Sequence, residues 1–233
     1  MIAFQVQTAE GVNWLGLGGF ALILCLFGVL FLWFAVLPAR REGQALADLG
    51  QRRGWRIERI AASGGKPTRI RFEPGSGDDW QAEITRYQNG NVQIRGMTVH
   101  LNGLRVAEGL VVIGPAIDAG PAVEAFASLG GGFAGALLRG VDDPAVTRHL
   151  SRLRAVDEAR FAGVTVLGTD PAEALRISAH CAPALTAWLG HEAAPVVIVT
   201  TEGARLRWRE NPSIALAEAL IDLGQAMARG AAG

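Results

Sequence analysis

Residues 68–73 read TRIRFE, and residues 55–60 ahead of them read WRIERI. In both, apolar side chains alternate with charged ones, the period of a strand that buries one face and wets the other. Ile70 and Phe72 fall on one side and Arg69 and Arg71 on the other, while Trp55 and Ile57 share a face with Arg59. Between the two runs lies the turn SGGKP at 63–67, and after the second lies PGSGD at 74–78. Residues 80–87 and 91–101 continue the pattern on either side of Asn89-Gly90, a strong hairpin signal. A three-residue loop over 89–91 would set Trp80 and Ile84 on the face of Val92 and Ile94, and it is preferred because one face must bury. After Asn102-Gly103, residues 104–113 are read as a strand ending in the apolar run Leu110-Val111-Val112-Ile113. Residues 55–114 are therefore expected to form an antiparallel meander of about five strands.

Toward the C-terminus the period lengthens. A short helix is expected over 121–129, an apolar segment over 133–138, and a helix from Pro144 capped by Asp142 or Asp143, with Val146, His149, Leu150 and Leu153 as its stripe. Residues 164–167 read as a strand. Thr169 or Asp170 caps a helix starting at Pro171, whose apolar positions are Ala174, Ile177, Cys181, Leu185 and Trp188. Pro183 inside that pattern is expected to kink or split it. Residues 195–201 and 204–209 form a hairpin, and Asn211 or Ser213 caps a last helix. The fold class is α+β: one continuous sheet covered on one face by helices, since a sheet with an apolar face must bury it.

Toward the N-terminus, residues 39–53 read as a helix with Ala45, Leu46 and Leu49 on one face. Residues 14–37, WLGLGGFALILCLFGVLFLWFAVL, carry no charge and exceed the roughly 20 apolar residues that cross a bilayer. Trp14 and Trp33 lie near the ends, where indole rings favour the headgroup region. A cleaved signal peptide fits poorly, because residues 1–13 contain no Lys or Arg and the apolar run is too long. Arg40, Arg41, Arg52 and Arg53 follow the run and only Glu10 precedes it, which predicts the N-terminus outside and the following domain in the cytoplasm. The expected organisation is a short extracytoplasmic N-terminus at 1–13, a single transmembrane helix at 14–37 in the inner membrane, a juxtamembrane helix at 38–54, an α+β domain at 55–229 and a frayed tail at 230–233. Gly18, Ala21, Cys25 and Gly28 recur at steps of three and four, a seam of small residues on which a second helix could pack closely.

The 22 basic and 22 acidic residues balance, and removing the anchor takes away only Glu10, so a non-specific nucleic-acid binder is excluded. Cys25 and Cys181 form no disulfide framework, as expected of a reducing compartment. Chemical motifs are weak. Gly65-Lys66 lacks the glycine and hydroxyl that a phosphate loop needs, since Ile60 and Pro67 stand there. Gly130, Gly132 and Gly135 match a dinucleotide fingerprint in spacing alone. His180, Cys181 and His191 give three candidate ligands where zinc takes four. Asp78-Asp79 and Asp142-Asp143 read as turn residues. No catalytic residue, metal site or cofactor is expected. Arg69, Arg71, Arg205, Arg207 and Arg209 alternate with apolar residues, and if their strands were neighbours they would form a basic face for anionic lipid or an acidic partner.

The span, its basic flank, Leu46-Ala47-Asp48-Leu49-Gly50 leading to Gly54-Trp55, and residues 164–209 together resemble, in layout, uncharacterised single-pass bacterial membrane proteins with a cytoplasmic α+β domain. The resemblance carries no diagnostic motif and implies no activity. The residues point to a membrane-tethered, non-enzymatic accessory, scaffold or assembly protein, whose partners are the membrane and another membrane protein or a second copy. The alternatives are a tethered small-ligand sensor and an enzyme using Cys181 and His180.

Overall fold

In a computed structural model of the protein, the described residues are 14–31, 33, 37–63, 67–77, 79–89, 92–115, 144–161, 163–189, 192 and 195–230. Contacts divide the chain into two units, Met1–Leu49 and Gly50–Gly233.

The first unit contains helix α1, Trp14–Phe31, and most of α2, Leu37–Arg53. Pro38 lies in the first turn of α2, where its missing N–H costs no helical hydrogen bond. Leu46 and Leu49 of the expected apolar face are buried, whereas Ala45 is exposed. Among the described residues no helix is long and apolar enough to cross a membrane. The 18 residues of α1 extend about 27 Å at the α-helical rise, against a hydrocarbon core of about 30 Å. The expected span over 14–37 is thus not seen as one helix, and residues 32 and 34–36 lie outside the described set.

The second unit is built on a nine-stranded sheet in the order β1-β2-β3-β4-β9-β8-β5-β7-β6, every pairing antiparallel. The strands are β1 Trp55–Ile60, β2 Thr68–Pro74, β3 Trp80–Asn89, β4 Val92–Leu101, β5 Leu110–Pro115, β6 Arg154–Ala155, β7 Val164–Gly168, β8 Val196–Thr200 and β9 Ala204–Trp208. Among the described residues three α-helices accompany them: α3 Pro144–His149, α4 Pro171–Leu189 and α5 Ile214–Gly230. The expected α+β class and continuous sheet are both present.

Several expectations are corrected. The meander stops at β4. The fifth strand begins only at Leu110 and pairs with β7 and β8, so that the β8–β9 hairpin is inserted between β4 and β5. The β3–β4 register also differs. Asn89 pairs with Val92 and Ile84 with Met97, so two residues rather than three separate the paired ends. This register puts Trp80, Ala82 and Ile84 opposite Leu101, Val99 and Met97, all buried. Three large apolar partners outweigh the shorter pattern near the hairpin tip. Pro183 does not split α4, which runs unbroken from Pro171 to Leu189, with Pro183 on its exposed side. Proline removes one ladder bond but can be carried where the helix's opposite face is firmly packed, here by Ile177, Cys181 and Leu185.

One face of the sheet packs under α4 and α5. Ile70, Phe72, Ala82, Ile84, Val99 and Leu206 lie on this face and are buried, with α5 over β4 and α4 over β5 and β7, and Ile177, Leu185, Leu220 and Ile221 of the helices are buried too. Gly224 allows α5 to lie close on β4, since a Cβ there would stand 3.1 Å from Val99 Cγ1. The expected caps form: Asp170 Oδ1 accepts the N–H of Ala172, and Ser213 Oγ that of Leu216. Among the described residues the other face is covered over β8, β5 and β7 only, where Val146 of α3, with Leu150 and Leu153 after it, packs on Leu110, Val112, Leu167, Val196 and Ile198. Across β9, β4, β3 and β2 that same face is polar.

Candidate functional site

Two surfaces stand out. The first is α1. Its large side chains from Leu22 onward are exposed, Leu22 at 69% and Phe27 at 65%. All exposed large hydrophobics among the described residues lie between 22 and 37 except Leu175. Gly18, Ala21, Cys25 and Gly28 all fall on this helix. Cys25 is exposed, and a Cβ at Gly28 would meet nothing within 4 Å, so packing inside the chain does not require glycine there.

The second is the polar sheet face. Arg71 faces Glu83, Glu83 faces Thr98, and Thr98 faces Arg207. The register therefore puts Arg69 and Arg71 on the face of Arg205 and Arg207, as the alternation predicted. The strands are not neighbours, because β3 and β4 separate β2 from β9. Glu83 occupies the gap, 3.5 Å from Arg69 and 3.8 Å from Arg71, and Glu202 lies 3.6 Å from Arg205. Arg209 stands just past the end of β9 and is exposed. The face thus carries carboxylates among its arginines, which weakens its pull on an anionic surface. Arg71 Nε is buried there with no hydrogen-bond partner among the described residues.

The basic residues after α1 divide into two pairs. Arg40 and Arg41 are exposed. Arg53 is engaged: its guanidinium lies 5.1 Å from the Trp55 ring centroid, contacts Glu218 at 2.8 Å and also pairs with Asp222. Arg52 reaches Glu218 at 3.4 Å. These contacts pin the end of α2 to α5 within the second unit. Nothing in the local sequence marks them, because the partners are more than 160 residues apart.

The candidate nucleophile fares poorly. Cys181 is fully buried, and burial pushes its thiol up to about 12, so little thiolate exists at neutral pH. His180 Nε2 is 2.6 Å from the Met227 carbonyl oxygen and so ties α4 to α5. Among the described residues no cluster of three His, Cys, Asp or Glu could hold a metal ion. His191, Gly65, Lys66, Asp78, Gly130, Gly132, Gly135, Asp142 and Asp143 lie outside the described residues. A maleimide should therefore leave Cys181 unmodified in the folded chain and label it in denaturant. Rapid native labelling of Cys181 would contradict its burial.

A ligand site would need room. A cleft of about 140 Å³ lies among Asp79, Trp80, Leu101, Gly103, Gln225 and Arg229, below the roughly 300–1,000 Å³ usual for small-molecule sites. Asp79 is held there by Asn102, whose side-chain amide donates to the carboxylate. Arg176 donates to Glu173 at 2.7 Å, which lowers the Glu173 carboxyl below its ordinary range. This pair fixes the start of α4 rather than opening a site, since Glu173 also accepts the N–H of Ala107. Comparison with family models, curated proteins and solved structures finds no match for the chain.

Proposed function

We propose that the chain is a membrane-tethered, non-enzymatic accessory, scaffold or assembly protein. In this reading residues 14–37 insert as a single span in the inner membrane, with the N-terminus outside and the sheet unit in the cytoplasm. The observation that carries it is the uncovered apolar helix. Fully burying a Leu, Val or Phe side chain is worth about 1.5–3 kcal/mol, so residues 22–33 leave on the order of 10 kcal/mol unclaimed in water. A helix apolar on all sides suits lipid, where its backbone groups are already paired. The uncharged run continues past Phe31 to Leu37, which brings it to the length a bilayer needs.

Exposed Arg40 and Arg41 just beyond the run support the orientation. The seam of Gly18, Ala21, Cys25 and Gly28 then offers a close-packing face to a second helix, from another membrane protein or another copy. The buried Cys181 and the small cleft speak less for the enzyme and sensor alternatives. A phosphatase reporter and a fluorescent reporter, each fused after Gly233, test the orientation. The fluorescent fusion is expected to be active and the phosphatase silent. Phosphatase activity would reverse the orientation.

A further inference from the structure

Strand β1 has one neighbour, β2, and its other edge is open among the described residues. The opposite edge of the sheet, β6, is two residues long and offers little to pair with. Free edges are normally made repellent by charge. The charges on β1 have a different property. Two copies of a strand joined edge to edge across a two-fold axis normal to the sheet run antiparallel, and opposed residues then share a face. The axis must therefore pass through a residue.

With the axis at Arg56, at Glu58 or at Arg59, that residue opposes its own charge. With the axis at Ile57, Ile57 meets Ile57, Arg56 meets Glu58 in both directions, and Trp55 meets Arg59 in both directions. Only this register of the strand interior has no like-charge opposition. It offers two ion pairs on one face, and an aliphatic contact flanked by two arginine–indole contacts on the other. The Trp55 ring already meets Arg53 at 5.1 Å and Trp80 at 5.2 Å between centroids, which leaves part of it exposed at the edge. Glu58 and Arg59 are exposed, Arg56 is 77% exposed with only a 3.8 Å contact to Glu73, and Trp55 and Ile57 are half-buried.

We propose that β1 is a homotypic docking edge that pairs with β1 of a second copy of this chain, antiparallel and centred on Ile57. The two sheets become one, with both helix-covered faces on the same side. The pairing is short, and confinement of both copies to one membrane would raise their effective concentration. The register itself is the same with or without that confinement.

The experiment uses the full chain carrying Cys25→Ser and Ile57→Cys. The central pair has Cα atoms about 4.5–5.5 Å apart, within disulfide range. Mild oxidation is expected to give a disulfide dimer at position 57, and at least tenfold less from Glu58→Cys or Arg59→Cys chains, whose cysteines are offset across the axis. Adding Arg56→Glu or Glu58→Arg to the Ile57→Cys chain is expected to cut the yield at least tenfold, because each variant opposes like charges. Mixing those two variants is expected to restore it as a heterodimer, since the two acidic side chains of one copy then face the two arginines of the other. A second readout leaves Ile57 intact: in an Arg56→Lys chain, carbodiimide should join the introduced amine at position 56 to Glu58 of the other copy, identified by peptide mass. Equal cross-linking at 57, 58 and 59, no recovery on mixing, or absence of both the disulfide and the carbodiimide link between positions 56 and 58 would overturn the proposal. Loss of membrane attachment is read separately by extraction, so that failure and this one are distinguishable.

Discussion

Arginine at both Leu24 and Phe27 is expected to move the chain out of the membrane fraction while leaving the melting of residues 50–233 unchanged. Each arginine at the centre of a spanning helix costs about 2.5–3.5 kcal/mol on insertion scales, and each lost Leu or Phe forfeits a further 0.3–0.6 kcal/mol or so. The pair should disfavour insertion by about 6–8 kcal/mol, several orders of magnitude in partition. Both side chains are exposed, Phe27 at 65%, so the sheet unit loses no packing. Leu24→Ile with Phe27→Leu is the control and should stay membrane-bound. Cell fractionation and a circular-dichroism melt of each variant check the two halves. Full retention of the double-arginine chain in the membrane would show that residues 14–37 are not what holds it there.

Gly109→Ala is expected to destabilise the sheet unit by about 2–4 kcal/mol. Gly109 has φ +80°, in the left-handed region that costs a residue with a Cβ roughly 1–2 kcal/mol. A Cβ there would also collide with Thr169 Oγ1 and lie 3.1 Å from Thr169 Cβ. The hydroxyl cannot simply rotate away, because it accepts the N–H of Leu110 at 2.9 Å, and losing that bond adds on the order of 1 kcal/mol. The cost falls on the entry into β5, whose residues are buried from Leu110 to Gly114. Thr169→Ala alone should cost about 1 kcal/mol. The double variant should cost less than the two singles summed, since the collision is gone. Urea unfolding of the four chains measures this; strict additivity would mean that Thr169 and Gly109 do not meet.

The sheet was legible wherever one strand face is apolar. Ile70 and Phe72, the β8–β9 hairpin and the caps at Asp170 and Ser213 were read from local spacing, because burial and capping act over a few residues. Strand order was not legible. Val111, Val112 and Ile113 are buried on both faces, and such a run carries no mark of which strands flank it. The expectation that β5 follows β4 in space failed for that reason. The β3–β4 register failed differently: Val92 and Ile94 lie nearest the turn, while Met97, Val99 and Leu101, buried opposite β3, set the pairing. The arginine face was half legible. Alternation sets the side of the sheet on which Arg69, Arg71, Arg205 and Arg207 lie, but not that Glu83 stands between the pairs. The ion pairs of Arg52 and Arg53 with Glu218 and Asp222 join segments more than 160 residues apart within the second unit, which no local period records. The self-complementary order of WRIERI was present in the sequence all along, and it acquired meaning only once β1 proved to be an edge.

The proposed role depends above all on α1 and the uncharged run after it being held in lipid. Alkaline carbonate extraction of membranes from cells making the full chain, followed by flotation on a density gradient, measures that directly. Retention in the pellet and flotation with the lipid are the predicted result. Quantitative release of the chain into the carbonate supernatant would contradict it.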